Sequence, residues 1–109
     1  MSYNIIAIPK FKKELKKLAK KYASLKNDLT ALFESLEANP RQGTPLGNNC
    51  YKIRLAITSK SKGKSGGARV ITNVIVTVNT VYLLSIYDKS NKETLSDKEL
   101  SELLKFIPE

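Results

Sequence analysis

Ala68-Arg69-Val70-Ile71-Thr72-Asn73-Val74-Ile75-Val76-Thr77-Val78 is dense in Val and Ile and reads as a central strand covered on both faces. On its C-terminal side a short turn near Asn79-Thr80 leads into a further strand, Val81 to Tyr87. On its N-terminal side Tyr51, Ile53, Leu55 and Ile57 alternate with Lys52, Arg54 and Ala56, the pattern of a half-buried strand with one basic face. The segment between them, Thr58 to Gly67, holds the chain's only low-complexity stretch, and the two strands it joins are expected to form a hairpin.

Further out, helical periodicity takes over. Tyr3 to Ile8 is a short β-branched strand ended by Pro9. Phe11, Leu15, Leu18 and Tyr22 then recur at helical spacing, with Lys10, Lys13, Lys17, Lys20 and Lys21 on the other faces. Ser24 suits the N-cap of a second helix that buries Leu25, Leu29, Leu32, Phe33 and Leu36 and stops at Asn39-Pro40. Residues 39–50, rich in Pro, Gly and Asn, read as a loop. At the far end Ser96 and Glu99 have the spacing of a capping box, flanked by Leu95 and Leu100 as a hydrophobic staple, and Leu100, Leu103, Leu104 and Ile107 form one apolar face. The expected fold is α+β: an N-terminal strand, an antiparallel helical hairpin, three further mostly antiparallel strands, and a C-terminal helix packed on the sheet.

At 109 residues the chain is one domain, 1–109, and its 41% hydrophobic and 27% charged residues make a globular composition. It has no His, which excludes imidazole catalysis and His-ligated metals, and the single Cys50 excludes an intrachain disulfide or a thiolate zinc cage. Cys50 reads as a small packing residue. The expectation is a reduced, cytoplasmic, soluble protein without cofactor or metal: the Lys residues follow the first apolar run instead of preceding it, and no stretch reaches the roughly 20 apolar residues that cross a bilayer.

Lys plus Arg number 19 against 10 acids, a formal charge of +9, which points to a polyanionic partner. The layout matters more than the total. Between Glu37 and Asp88 there is no acid, yet Arg41, Lys52, Arg54, Lys60, Lys62, Lys64 and Arg69 all lie there. Basic residues on strands also discourage edge-to-edge association, but that does not explain the exclusion of acids. Gly63-Lys64-Ser65 is not a Walker loop, because Thr58 stands where its first Gly belongs and a strand, not a helix, follows. Gly66 and Gly67 would either turn a hairpin or let backbone amides converge on an anion.

Lys52 and Arg54, two apart on one strand, leave the same face, and Arg69 opens the neighbouring strand with Tyr87 and Lys89 at the end of the next. Such a surface suits RNA cleavage by 2′-OH attack on the adjacent phosphate. Arg stabilises phosphorane charge through planar bidentate contacts and never loses its proton. Lys crowded by other cations is expected to have a lowered pKa and to move protons near neutrality, and Tyr in a cationic field is expected to shift down likewise. DNA, lacking the 2′-OH, would be bound but not cut.

The order of elements resembles the RelE/ParE toxin superfamily of type II toxin–antitoxin systems, in its HigB-like long-loop branch. The resemblance is carried by Phe11-Lys12-Lys13-Glu14-Leu15-Lys16-Lys17-Leu18, by Tyr51-Lys52-Ile53-Arg54-Leu55, and by Tyr87-Asp88-Lys89-Ser90 with the final helix. Its most specific part is Gly63-Lys64-Ser65-Gly66-Gly67-Ala68-Arg69-Val70-Ile71. It implies a ribosome-dependent mRNA endonuclease (an mRNA interferase that inhibits translation), with Lys52, Arg54, Arg69, Tyr87 and Lys89 as catalytic residues and Arg69 on the scissile phosphate. Lys13, Lys17, Lys60, Lys62 and Lys64 would contact RNA or ribosome. A cognate antitoxin, acidic and amphipathic, would cover the basic sheet face or the groove beside the terminal helix. The sequence departs from the pattern at Thr72, where an aromatic is common, and in continuing past the last strand into a full helix. Two other functions stand beside it. A ParE-like inhibitor of DNA gyrase shares the fold but needs no RNA-cutting site, so the Lys52, Arg54 and Arg69 cluster argues against it. An RNA- or ribosome-binding module without catalysis is the other, and charge alone does not exclude it.

Overall fold

A computed structural model of the chain describes residues 2–60, 66–90 and 95–107. Gly63-Lys64-Ser65, with Lys62, lies outside the described residues. The elements run β1 (Asn4–Ala7), α1 (Pro9–Lys21), α2 (Leu25–Ala38), β2 (Thr44–Gly47), β3 (Cys50–Leu55), β4 (Ala68–Ile75), β5 (Thr80–Asp88) and α3 (Asp97–Leu104), with short 3-10 turns at Thr58–Lys60 and Val76–Val78. The five strands form one sheet in the order β1-β5-β4-β3-β2, in which only β1 and β5 pair in parallel. β4 is therefore the central strand, as its Val/Ile density requires.

β2 lies within the stretch expected to be loop. Pro45 lacks an N–H and Gly47 has φ +87°, features that weaken a strand signal, yet both are tolerated on an edge strand. The signal that could have found it is Asn48-Asn49: both residues take left-handed φ (53° and 63°), the requirement of a two-residue hairpin turn into β3. The β-branched run after β4 also ends early. Ile75 closes the strand, Val76 and Val78 are exposed, and Asn79 at φ 47° reverses the chain into β5.

Side-chain alternation assigns the sheet's two faces. Ile53, Val70 and Ile86 are register partners across β3, β4 and β5 and are all buried. Leu32 of α2 lies beside Ile53 and Leu55, so this row faces the helical layer, where Leu25, Leu29, Leu36 and Phe11 complete the core. α1 also runs along β5 beyond the end of β1. There Glu14 Oε1 accepts from Ser85 Oγ at 2.9 Å and from the Ile86 backbone N–H at 3.3 Å, which caps an otherwise open strand edge. Ser24 does not cap α2 through its side chain. Its hydroxyl donates to Asp28 Oδ2 and accepts from the Ser59 amide, tying the helix start to the 58–60 turn. The capping box of α3 is present as expected, with Ser96 Oγ accepting from the Glu99 amide and Glu99 Oε1 from the Ser96 amide, each at 3.1 Å. Leu100 and Leu103 carry α3 into the core.

Gly67, just before β4, has no room for a side chain: a Cβ there would run into the Leu55 carbonyl oxygen on the neighbouring strand. Gly67→Ala is expected to destabilise the fold by roughly 1–3 kcal/mol, since the obstruction is backbone that must be displaced. Urea unfolding of wild type and variant checks this, and a midpoint unchanged in the variant would contradict the close approach.

Candidate functional site

The row next to Ile53–Val70–Ile86 is Arg54, Arg69 and Tyr87. Arg54 is the register partner of Arg69, and Arg69 is the partner of Tyr87. All three leave the sheet on the face away from α1 and α2, and Lys52 shares that face two residues along β3. Two arginines directly opposite each other repel, so this pairing is not one that sheet stability would select. It concentrates cations on one wall in the way that binding an anion requires.

The three differ in access. Arg54 is exposed and Lys52 half-buried. Arg69 is only 4% exposed and Tyr87 7%, so of the two arginines Arg54 alone is open to solvent. Arg69 Nη1 donates to the Ala68 carbonyl at 3.0 Å, which holds the guanidinium close to its own strand. Burial raises the Tyr87 phenol above its ordinary value of 10.0, the nearby Arg69 charge opposes that, and the charge of Glu99 adds to it. The α3 first turn therefore stands over this end of the face. A cationic field was expected to lower Tyr87. Desolvation outweighs it, so the phenol holds its proton near neutrality.

Beside Lys52 and Arg54 a groove of about 640 Å³ opens between α2 and the edge of β3. Asn27, Gln42, Thr44 and Thr58 line it together with the two basic residues, over a floor that includes Leu32, Ile53 and Leu55. Its size and mixed lining suit a small polar ligand or one unit of a chain.

Lys89, half-buried, follows β5, and its backbone N–H donates to the Gly67 carbonyl at 3.1 Å. Lys60, expected to contact RNA, is instead committed to Asp88: Nζ lies 2.7 Å from Oδ1, with the lysine side chain 11% exposed and the carboxylate 0%. The acid-free middle segment thus takes its counter-charge from the first acid after it, a pairing that sequence spacing does not reveal. Burial would raise the Asp88 carboxyl. Hydrogen bonds from Lys60, from Tyr22 and from Ser90 more than offset that and hold it far below its ordinary 3.8. The Asp88 bond raises Lys60 above 10.5 despite its partial desolvation. Lys13 and Lys17 are exposed on α1, separate from the row on the sheet, while Lys62 and Lys64 lie outside the described residues. Cys50 is buried, as expected, and burial raises its thiol against a hydrogen bond from Asn73.

These shifts fix the pH profile of stability. Asp28, whose burial is outweighed by hydrogen bonds from Thr58 and Ser24, and Asp88 both have lowered pKa values, so their contribution is present above 3.8 and lost as pH falls below it. Tyr87 and Lys60 are raised, so theirs is present below 10.0 and 10.5 and lost as pH rises through the folded values. Denaturant titrations across pH should give a plateau with acid and alkaline falls. Tyr87→Phe should weaken the alkaline fall and leave the acid one unchanged.

No helix among the described residues is long and apolar enough to cross a membrane. A family model described as "RelE toxin of RelE / RelB toxin-antitoxin system" matches residues 8–107. A mutant of the E. coli toxin RelE in the free state is 23% identical with a TM-score of 0.64, covering 99% of this chain and 100% of that one. The toxin in the intact E. coli RelBE toxin–antitoxin complex is 23% identical with a TM-score of 0.62, covering 80% and 96%. The Mycobacterium tuberculosis RelBE2 toxin–antitoxin complex matches at 18% identity and a TM-score of 0.59, covering 81% and 99%. The solved structures share the α+β arrangement of three helices and a five-stranded mixed sheet, and the family match over nearly the whole chain carries the assignment: this chain belongs to the RelE toxin family, as a RelE-type toxin of a toxin–antitoxin system.

Proposed function

We propose that the chain is a ribosome-dependent mRNA endonuclease that cleaves by 2′-OH attack, without a metal, at the face of β3, β4 and β5. The observation that carries this is the direct register of Arg54 with Arg69 and of Arg69 with Tyr87. Membership of a toxin family supports it.

Each group has a separate task in this reading. Arg54, exposed, grips the non-bridging oxygens of the scissile phosphate and stabilises the charge that grows on them. Arg69, buried beside it on β4, adds a positive charge where screening by water is weak. Lys52 and Lys89 move the protons, one taken from the 2′-OH and one given to the departing 5′-oxygen. Tyr87, with its raised pKa, keeps its proton and acts as a donor. The α1 lysines, Lys13 and Lys17 among them, hold ribosomal RNA through phosphate contacts that carry affinity but no sequence information. The antitoxin, an acidic amphipathic chain, inhibits by covering this basic face. The E. coli and M. tuberculosis relatives solved as toxin–antitoxin complexes are the precedent for such a partner.

The test is a translation reaction in which the 5′ ends of the message are mapped, beside a gyrase supercoiling assay. Codon-phased cuts that require ribosomes are expected. Arg54→Ala should reduce cutting by about 10²–10³-fold, the usual loss when one charge-stabilising donor is removed. Its stability should change by no more than about 0.5 kcal/mol, because the side chain is exposed. Arg69→Ala should lose activity and stability together, as its side chain is buried. Blocked supercoiling with an intact message would instead make the chain a gyrase inhibitor. Ribosome binding without cuts would make it a non-catalytic module.

A further inference from the structure

Asp88 stands between Tyr87 and Lys89, and its side chain holds several hydrogen bonds at this end of the sheet. Its carboxylate is fully buried and accepts from Lys60 Nζ at 2.7 Å, Tyr22 Oη at 2.5 Å, Ser90 Oγ at 2.7 Å and the Ser90 backbone N–H at 3.0 Å. These donors come from three separate places: the end of α1, the 58–60 turn and the residue pair after β5. Lys60 Nζ also lies 5.5 Å from the centre of the Tyr22 ring, so the partners pack against each other as well as on the acid.

A buried ion pair is a poor source of net stability, because desolvating two charges consumes most of their attraction. Such a group serves better to fix a geometry. The end of a strand frays unless something holds it. Here Asp88 points to the helical layer while Tyr87, one residue before, points to the opposite face, so anchoring one orients the other. The same anchor sets the point where Lys89 leaves the strand, next to its bond with Gly67.

We propose that Asp88 is a positioning residue of the site on β3, β4 and β5: its bonds to Lys60, Tyr22 and Ser90 fix the strand end that carries Tyr87 and Lys89. This rests on the ribonuclease reading above. Displacing a catalytic group by about 1 Å costs on the order of 10²-fold in rate, so the anchor is felt in turnover more than in binding.

Two variants test it in opposite directions of charge. Asp88→Asn adds one positive charge to the molecule and Lys60→Met removes one. If Asp88 acts as an anchor, both reduce kcat for ribosome-bound message by about 10–100-fold, the loss expected from a displaced group. KM should stay level or fall in Asp88→Asn and stay level or rise in Lys60→Met. Amide hydrogen exchange at Lys89 should accelerate in both, with the Val70 amide still protected. An influence of charge alone would move kcat in opposite directions, and a damaged fold would expose Val70 and lower activity in proportion to the unfolded fraction. Either result overturns the proposal, as does undiminished kcat in Asp88→Asn. Should wild type leave the message intact, the ribonuclease reading fails by itself. Lys89 exchange then decides the anchor alone, and unchanged protection in both variants refutes it.

Discussion

The antiparallel pairing of β3 with β4 and of β4 with β5 is the constraint from which the rest of the molecule follows. A strand presents successive side chains to opposite faces, so one register sets two rows at once. With Ile53, Val70 and Ile86 aligned toward the helices, Arg54, Arg69 and Tyr87 have to align on the far side. A slip of one residue would expose the core and bury the cations. The core that stabilises the sheet and the charges proposed for its chemistry are therefore specified by the same hydrogen bonds.

That arrangement sets up an electrostatic problem, and the protein handles it in two ways. The outward row places like charges across adjacent strands, and Arg54 remains in water where the repulsion is weakest. At the end of the same strands the fold accepts one buried acid. Asp88 neutralises Lys60 inside the protein, so that lysine becomes part of the scaffold instead of the binding surface. Net charge therefore overstates the number of cations available to a polyanion. Of the 19 basic residues, Lys60 at least is paired with a buried carboxylate.

Relatives at 18–23% identity share this sheet and its helices, so the architecture survives replacement of most of its residues. In this chain alternating apolar residues fit between the sheet and α1–α2, and Gly67 stands where β4 begins close against the Leu55 carbonyl. The RelE family resemblance rests on the quoted stretches, Gly63 to Ile71 above all, and the match over residues 8–107 agrees with it.

The elements with strong periodicity were legible in the sequence: α1, α2, β3, β4, β5 and the capping box of α3 depend on spacing between near neighbours. β2 was hidden because Pro45 and Gly47 are poor strand residues that an edge position tolerates, and the early end of β4 depended on a left-handed Asn79. The Arg54–Arg69 juxtaposition was within reach, because a hairpin brings such residues together. Their unequal burial was not, since it depends on α3 folding back over the face from outside the hairpin. The sequence by itself determined the strongly periodic elements, the family and the side of the sheet on which the cations gather. Only the tertiary structure decided which cations water can reach, which way the Tyr87 proton equilibrium moves, and that Asp88, 28 residues after Lys60, takes up its charge. Those outcomes depend on desolvation and contact between distant segments, and spacing along a chain carries no record of either.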